Sequence, residues 1–343
     1  MITGRSLALL AFAAGPALFP ATAPAQETYR WNLPKGFPPP LVPADNLMTA
    51  VKVDLGRYLF YDPRLSVNGK TSCATCHRQE LAFTDGRPTA VGTTGQIHSR
   101  NAMSLVNVAY NASLTWGDPH VRRLEAQAPI PIFGEQPIEM GLREADGVPS
   151  PVAADVRYRD LFARAFPGQN PALTMGNAVK AIAAFERTII AAASPYDRYH
   201  YGGENDAVSA AARRGEMLFY SQPLSCFRCH GGFNFSDSIE FEGRPRGQPP
   251  MHATGVASPG MFKAPSLRNV ALTAPYMHDG SLPTLEAVLD RYAAGGGHAP
   301  VPDQDPLISG FLLSAAQRSD IIEFLRSLTD ESILHNPRFA NPW

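Results

Sequence analysis

All four cysteines of the chain fall in two copies of one pattern, Cys73-Ala74-Thr75-Cys76-His77 and Cys226-Phe227-Arg228-Cys229-His230. C-x-x-C-H is the attachment signature of a c-type haem. Two thiols three residues apart on a helical turn can form thioethers to both haem vinyls, and the adjacent His then offers an imidazole nitrogen to the iron. A thioredoxin-like C-x-x-C needs a βαβ context and does not recur with a trailing histidine. A single zinc site would have to draw on both motifs. Two covalently bound c-type haems are therefore expected, with His77 and His230 as iron ligands.

The sequence around the motifs is duplicated. Leu55-Gly56-Arg57-Tyr58-Leu59-Phe60-Tyr61 precedes the first and Arg214-Gly215-Glu216-Met217-Leu218-Phe219-Tyr220 the second. After them, Ser104-Leu105-Val106-Asn107-Val108-Ala109 parallels Ser266-Leu267-Arg268-Asn269-Val270-Ala271. Such a repeat reads as two cytochrome c-like domains with one haem each, and 343 residues leave room for two. Between the motifs, Val179, Ile182, Phe185, Ile189 and Ile190 keep helical spacing from Met175 to Ala193, and Ser194-Pro195 stops that helix. The boundary is set there, giving an N-terminal domain at 26–195 and a C-terminal domain at 196–343. Near the end, Ser314 and Gln317 form a capping-box pattern ahead of Ile321, Ile322, Phe324, Leu325 and Leu328. Strand patterns are scarce, so the expected class is mainly α.

At the N-terminus Arg5, the apolar run Leu7 to Ala14 and Ala23-Pro24-Ala25 form a secretory signal peptide over residues 1–25. The run is too short to span a bilayer, and no membrane span is expected in the mature chain. A periplasmic location follows, in keeping with haem attachment outside the cytoplasm. With 30 basic against 31 acidic residues, the balance argues against a nucleic-acid binder.

Two haems admit either an electron carrier with both irons six-coordinate, or an enzyme with one iron open to peroxide. The motifs Leu55 to Phe60, Ser72 to His77, Arg100-Asn101, Ala183 to Thr188 and Pro275-Tyr276-Met277-His278-Asp279-Gly280 make the chain resemble the bacterial dihaem cytochrome c peroxidase/MauG superfamily. Leu81 to Gly86, Leu114-Thr115-Trp116 and Phe133-Gly134-Glu135 look most like its MbnH branch, whose members oxidise a tryptophan of a partner protein.

The resemblance implies a peroxide-reactive first haem. The position of the family's removable distal histidine is Thr93, with His98 as a rival ligand nearby. The distal acid–base pair maps to Gln127 and Glu139, with Glu135 as an alternative, and the tryptophan between the haems maps to Trp116. The sixth ligand of the second haem maps to Tyr292 where peroxidases carry a methionine; Met277 is a rival. A calcium ion is implied at Asn101, Thr273 and Pro275, with Asp279 as an outer group. The surface tryptophan of MauG falls at Leu224, with Tyr220 close in sequence. The resemblance thus implies an enzyme that uses hydrogen peroxide to form a high-valent dihaem state and oxidises a secreted partner protein. The alternative is a peroxidase drawing electrons from a small redox protein.

Overall fold

The computed structural model describes residues 27–244, 247–254, 260–296 and 304–343, so the expected leader at 1–25 lies outside the described residues. Five helices organise the molecule: α1 (Ala50–Tyr61), α2 (Met175–Glu186), α3 (Ala210–Phe219), α4 (Leu285–Ala293) and α5 (Ala315–Ser327). Each starts on a Ser or Thr whose hydroxyl accepts a hydrogen bond from a first-turn N–H, at Thr49, Thr174, Ser209, Thr284 and Ser314. At α5 the capping box with Gln317 is formed. Among the described residues, pairing between extended segments is confined to isolated bridges, so the architecture is mainly α.

The duplication is a duplication of packing. In the first half α1 crosses α2 at Gly56, where a Cβ would stand 1.9 Å from the Ala181 carbonyl oxygen and 2.9 Å from the Phe185 Cβ. In the second half α3 crosses α5 at Gly215, where a Cβ would stand 1.9 Å from the Asp320 carbonyl oxygen and 2.8 Å from the Phe324 Cβ. Only glycine lets two backbones approach so closely. The loops repeat as well. Asn107 and Asn269 both take φ 57° and lead into short 3₁₀ turns. Their N–H groups donate to Ile189 and Leu328 carbonyls at the equivalent places.

Two apolar cores result. One gathers Leu55, Leu59, Phe60, Phe162, Ile182 and Phe185, the other Phe219, Phe235, Leu289, Ile321, Phe324 and Leu325. The tail does not follow this half-and-half division: Ile333 and Phe339 belong to the first core, and Gln79 donates to the Ile333 and Asn336 carbonyls.

The helix expected to run to Ala193 ends at Glu186. The apolar spacing continues, but the backbone is drawn elsewhere: Ala191 N–H donates to the Asn107 side chain, and Ala192 and Ala193 donate to Asp330. Ser194-Pro195 is not a stop but a start, since Ser194 caps the short helix Pro195–His200 through a capping box with Asp197.

Candidate active site: two haem cavities and the wall between them

Each C-x-x-C-H motif closes on itself, His77 N–H donating to the Cys73 carbonyl (3.0 Å) and His230 N–H to the Cys226 carbonyl (2.9 Å). The histidine rings are then held from behind. His77 Nδ1 lies 3.0 Å from the Phe83 carbonyl, and His230 Nδ1 lies 3.2 Å from Phe235 O and 3.1 Å from Pro265 O. Phe83 and Phe235 reach these positions at φ 61° and 48°, a left-handed conformation that costs a non-glycine residue on the order of 1 kcal/mol or more. With Nδ1 engaged, Nε2 is the nitrogen left for an iron. None of the four cysteines is paired in a disulfide. The donor set in each half fits a covalently attached haem.

The first cavity is lined by Cys73, Cys76 and His77 and, around them, by Gln127, Glu139, His98, Ile182 and Glu186. The structure thus brings the two distal residues expected from the sequence into one wall. Burial pushes the Glu139 carboxyl up to about 7, where a carboxyl group can both hold and release a proton at neutral pH. Glu135 is exposed and outside this wall. Thr93 is also outside it, its N–H donating to the Glu139 carbonyl and its hydroxyl accepting from Thr71.

His98 is not a surface residue. Its ring is enclosed in the wall with Nδ1 3.7 Å from Glu139 Oε1, and Nε2 is buried with no partner. The ring thus stands beside Glu139 in the wall of the first cavity. Glu186, inside the Ala183 to Thr188 motif, shares this wall. It is 5% exposed, one of its oxygens has no partner, and burial pushes it up to about 8.

The second cavity is lined by Cys226, Cys229, His230, Trp116, Leu224, Met277, His278, Leu289 and Tyr292. Tyr292 sits in the last turn of α4. Burial, reinforced by Cys229 and Cys226, pushes its phenol up to about 12. Met277 also belongs to the wall, but it is shared with the cavity between the two halves, which Tyr292 does not touch.

That middle cavity lies behind both histidines, bounded by Thr84 and Met103 on one side and Pro265 and Ser266 on the other. Trp116 separates it from the second cavity, and its indole N–H donates to the Asn101 carbonyl at 2.9 Å. Asn101, Thr273 and Pro275 all line it. The Asn101 amide nitrogen donates to the Arg87 carbonyl at 2.7 Å, which leaves Oδ1 as its acceptor. Neutral oxygens of this kind suit Ca²⁺. Asp279 accepts from Ser281 N–H within its turn and does not line the cavity. Lys263, unassigned from the sequence, stands in the wall shared by the second and middle cavities. It donates to the Ser113 carbonyl at 2.7 Å, and burial pushes it down to about 7.

Comparison with known proteins agrees with this geometry. Residues 50–206 match the model of the di-haem cytochrome c peroxidase family, and residues 261–293 match a RoxA-like, cytochrome c-like model. The chain is 35% identical to the methylamine utilization protein MauG of Methylorubrum extorquens, over 88% of this chain and 84% of that protein. It is 34% identical to the cytochrome-c peroxidase IdrP1 of Denitromonas iodatirespirans, over 94% of this chain and 90% of that one. A crystal structure described as a MauG-like protein associated with microbial copper homeostasis superposes with a TM-score of 0.87 at 39% identity, covering 92% of this chain and 99% of that one. Fold and cavities define a dihaem peroxidase-type oxidoreductase. The chain belongs to the di-haem cytochrome c peroxidase/MauG family. No helix among the described residues is long and apolar enough to cross a membrane.

Proposed function

We propose that the chain is an exported, periplasmic enzyme that uses hydrogen peroxide to oxidise a residue of a partner protein at a distance, the residue being a tryptophan. The observation that carries this reading is a phenol, Tyr292, in the wall of the second cavity beside both attachment cysteines. A phenolate is a hard anionic donor that favours the oxidised states of iron, whereas a thioether favours the reduced state. With the free phenol pushed up to about 12, the phenolate forms at neutral pH only against a bound cation. When bound, the haem pair would supply peroxide cleavage and temporary storage of its two oxidising equivalents.

The chain's own residues govern the proton and the path. Glu139 takes a proton from the inner peroxide oxygen and returns it to the outer one, with the Gln127 amide orienting the peroxide. Trp116 offers an electron-rich indole between the second and middle cavities, fixed by its hydrogen bond to Asn101. The same Asn101, with Thr273 and Pro275, would hold Ca²⁺ and so tie the two halves together. The partner need not enter either cavity. The leader at 1–25 supports export.

A second reading is a cytochrome c peroxidase fed by a small redox protein. The presence of Met277 in the second wall favours it. The two are separated by treating the protein with peroxide and small secreted tryptophan-containing proteins encoded beside its gene, followed by mass spectrometry. An oxidised tryptophan, with kynurenine as product, is expected. Fast turnover of reduced cytochrome c with no modified partner would establish the second reading instead.

A further inference from the structure

Behind the second motif lies a group of phenols that none of the roles above uses. Tyr196 is 4% exposed, and its ring meets Phe235 edge-on at 5.2 Å. Phe235 is the residue whose carbonyl holds the His230 ring. The Tyr196 hydroxyl does not end in apolar packing. It lies 3.4 Å from His200 Nδ1, with Glu216 and the Tyr220 phenol close enough to act on it electrostatically. Tyr220 is 39% exposed, beside an exposed Met217. Its ring stacks near Phe227 of the second C-x-x-C-H motif at 6.0 Å and packs on Phe219, a wall residue of the second cavity, at 5.3 Å.

The repeat supplies an internal control. Tyr61 is the counterpart of Tyr220, and its ring packs on Phe60 at 5.2 Å as Tyr220 packs on Phe219. Tyr61, however, is tied down: its hydroxyl donates to the Phe339 carbonyl of the returning tail at 2.7 Å. The first half therefore ties this hydroxyl to a backbone carbonyl, whereas the second half leaves the ring 39% exposed and next to a second phenol, Tyr196.

A phenol yields an electron readily only when its proton has somewhere to go. We infer that Tyr196 and Tyr220 form a proton-coupled outlet through which oxidising equivalents leave the second haem for the protein surface. The inference rests on the peroxide-driven reading above. Hydrogen peroxide is the oxidant and takes two electrons and two protons to become water. The electrons arrive one at a time. Tyr196 gives one toward the second haem while its proton passes to His200. Tyr220 then reduces the Tyr196 radical, its own proton leaving to the solvent it faces while His200 returns the first proton to Tyr196. Finally, an electron-rich side chain of the partner, a tryptophan or tyrosine docked at Tyr220, gives an electron to the Tyr220 radical, which takes a proton back from the solvent it faces, and the relay returns to its starting state.

The test uses the holoprotein with a single equivalent of hydrogen peroxide and freeze-quench electron paramagnetic resonance, with ring-deuterated tyrosine to identify the radical. Wild type is expected to show a tyrosyl signal. Tyr196→Phe and Tyr220→Phe, each removing one oxygen from a ring whose packing is kept, are expected to lose it. Each should also slow partner oxidation by about a hundredfold, the low end of what loss of a positioned proton partner costs. Tyr61→Phe should behave as wild type. A double variant Tyr196→Phe/Tyr220→Phe with wild-type radical yield and wild-type rates would overturn the outlet and leave the partner-oxidising reading standing. A wild-type tyrosyl signal lost in the variants, with no partner ever modified, would keep the outlet and remove that reading.

Discussion

The two halves share a scaffold and differ in what they put around it. Gly56 and Gly215 make the same helix crossing, Phe83 and Phe235 hold the two histidines by the same backbone trick, and Asn107 and Asn269 anchor the same loop. The cavity walls have diverged. The first carries titratable side chains, Glu139, Glu186 and His98, with Gln127. The second is mostly apolar, and its polar contributions include two phenols, Tyr276 and Tyr292, the histidines His252 and His278, and one buried lysine. What holds a haem is duplicated, and what decides its chemistry is not. The first wall takes His98, Gln127 and Glu139 from the chain between its motif and α2 and Glu186 from the end of α2; the second takes Lys263, Met277 and His278 from the chain between its motif and α4 and Tyr292 from α4.

The contrast can be broken most strongly at Glu139. Glu139→Gln should slow the reaction with peroxide by about a hundredfold to a thousandfold, read by stopped-flow absorbance. The wild-type rate should rise as pH rises through about 7, because the base form accepts the peroxide proton; the variant should lose that rise. The same substitution should leave the resting spectrum of the second haem unchanged.

The shared scaffold is tested next. Gly56→Ala and Gly215→Ala should each destabilise by about 3 kcal/mol, because neither helix pair can move a backbone carbonyl aside cheaply. Thermal unfolding should show similar losses for the two. A large loss in one and none in the other would mean that the crossings are not equivalent.

A smaller effect is expected at Glu186. Its carboxyl is raised from 4.5 to about 8 by burial, so the folded protein keeps a proton that the unfolded chain releases. That contribution is complete below 4.5 and is lost as pH rises through about 8. Glu186→Gln should therefore flatten the decline in stability across this window, gaining on the order of 2 kcal/mol over wild type at its upper end. A slope unchanged by the substitution would place the titrating group elsewhere. The smallest effect should follow calcium removal. The three expected ligands bring no carboxylate, and chelation should lower stability by about 1 kcal/mol, measured as a shift of the unfolding midpoint restored by added Ca²⁺.

The scaffold was legible in the sequence because its signals are local. C-x-x-C-H is contiguous, the repeat is visible by inspection, and Ser314 with Gln317 caps its helix as written. The grouping of Gln127 with Glu139, of Asn101 with Thr273 and Pro275, and of Tyr292 with His230 came from the family pattern, and the folded chain brings each set to one cavity. Burial was not legible. Nothing local to Glu186 or Lys263 shows that the chain closes over it, and nothing local to His98 shows that it lies in a wall. The end of α2 escaped for the same reason, since Asn107 and Asp330 capture that backbone from far along the sequence. Tyr61 and Tyr220 read alike until the tail returns to accept the hydroxyl of one of them.

At the centre of the account is an oxygen donor from Tyr292 on the second iron. Resonance Raman spectroscopy of the resting ferric holoprotein should show phenolate ring modes that vanish in Tyr292→Phe and persist in Met277→Leu. A spectrum without such modes, insensitive to Tyr292→Phe and altered by Met277→Leu, would contradict it.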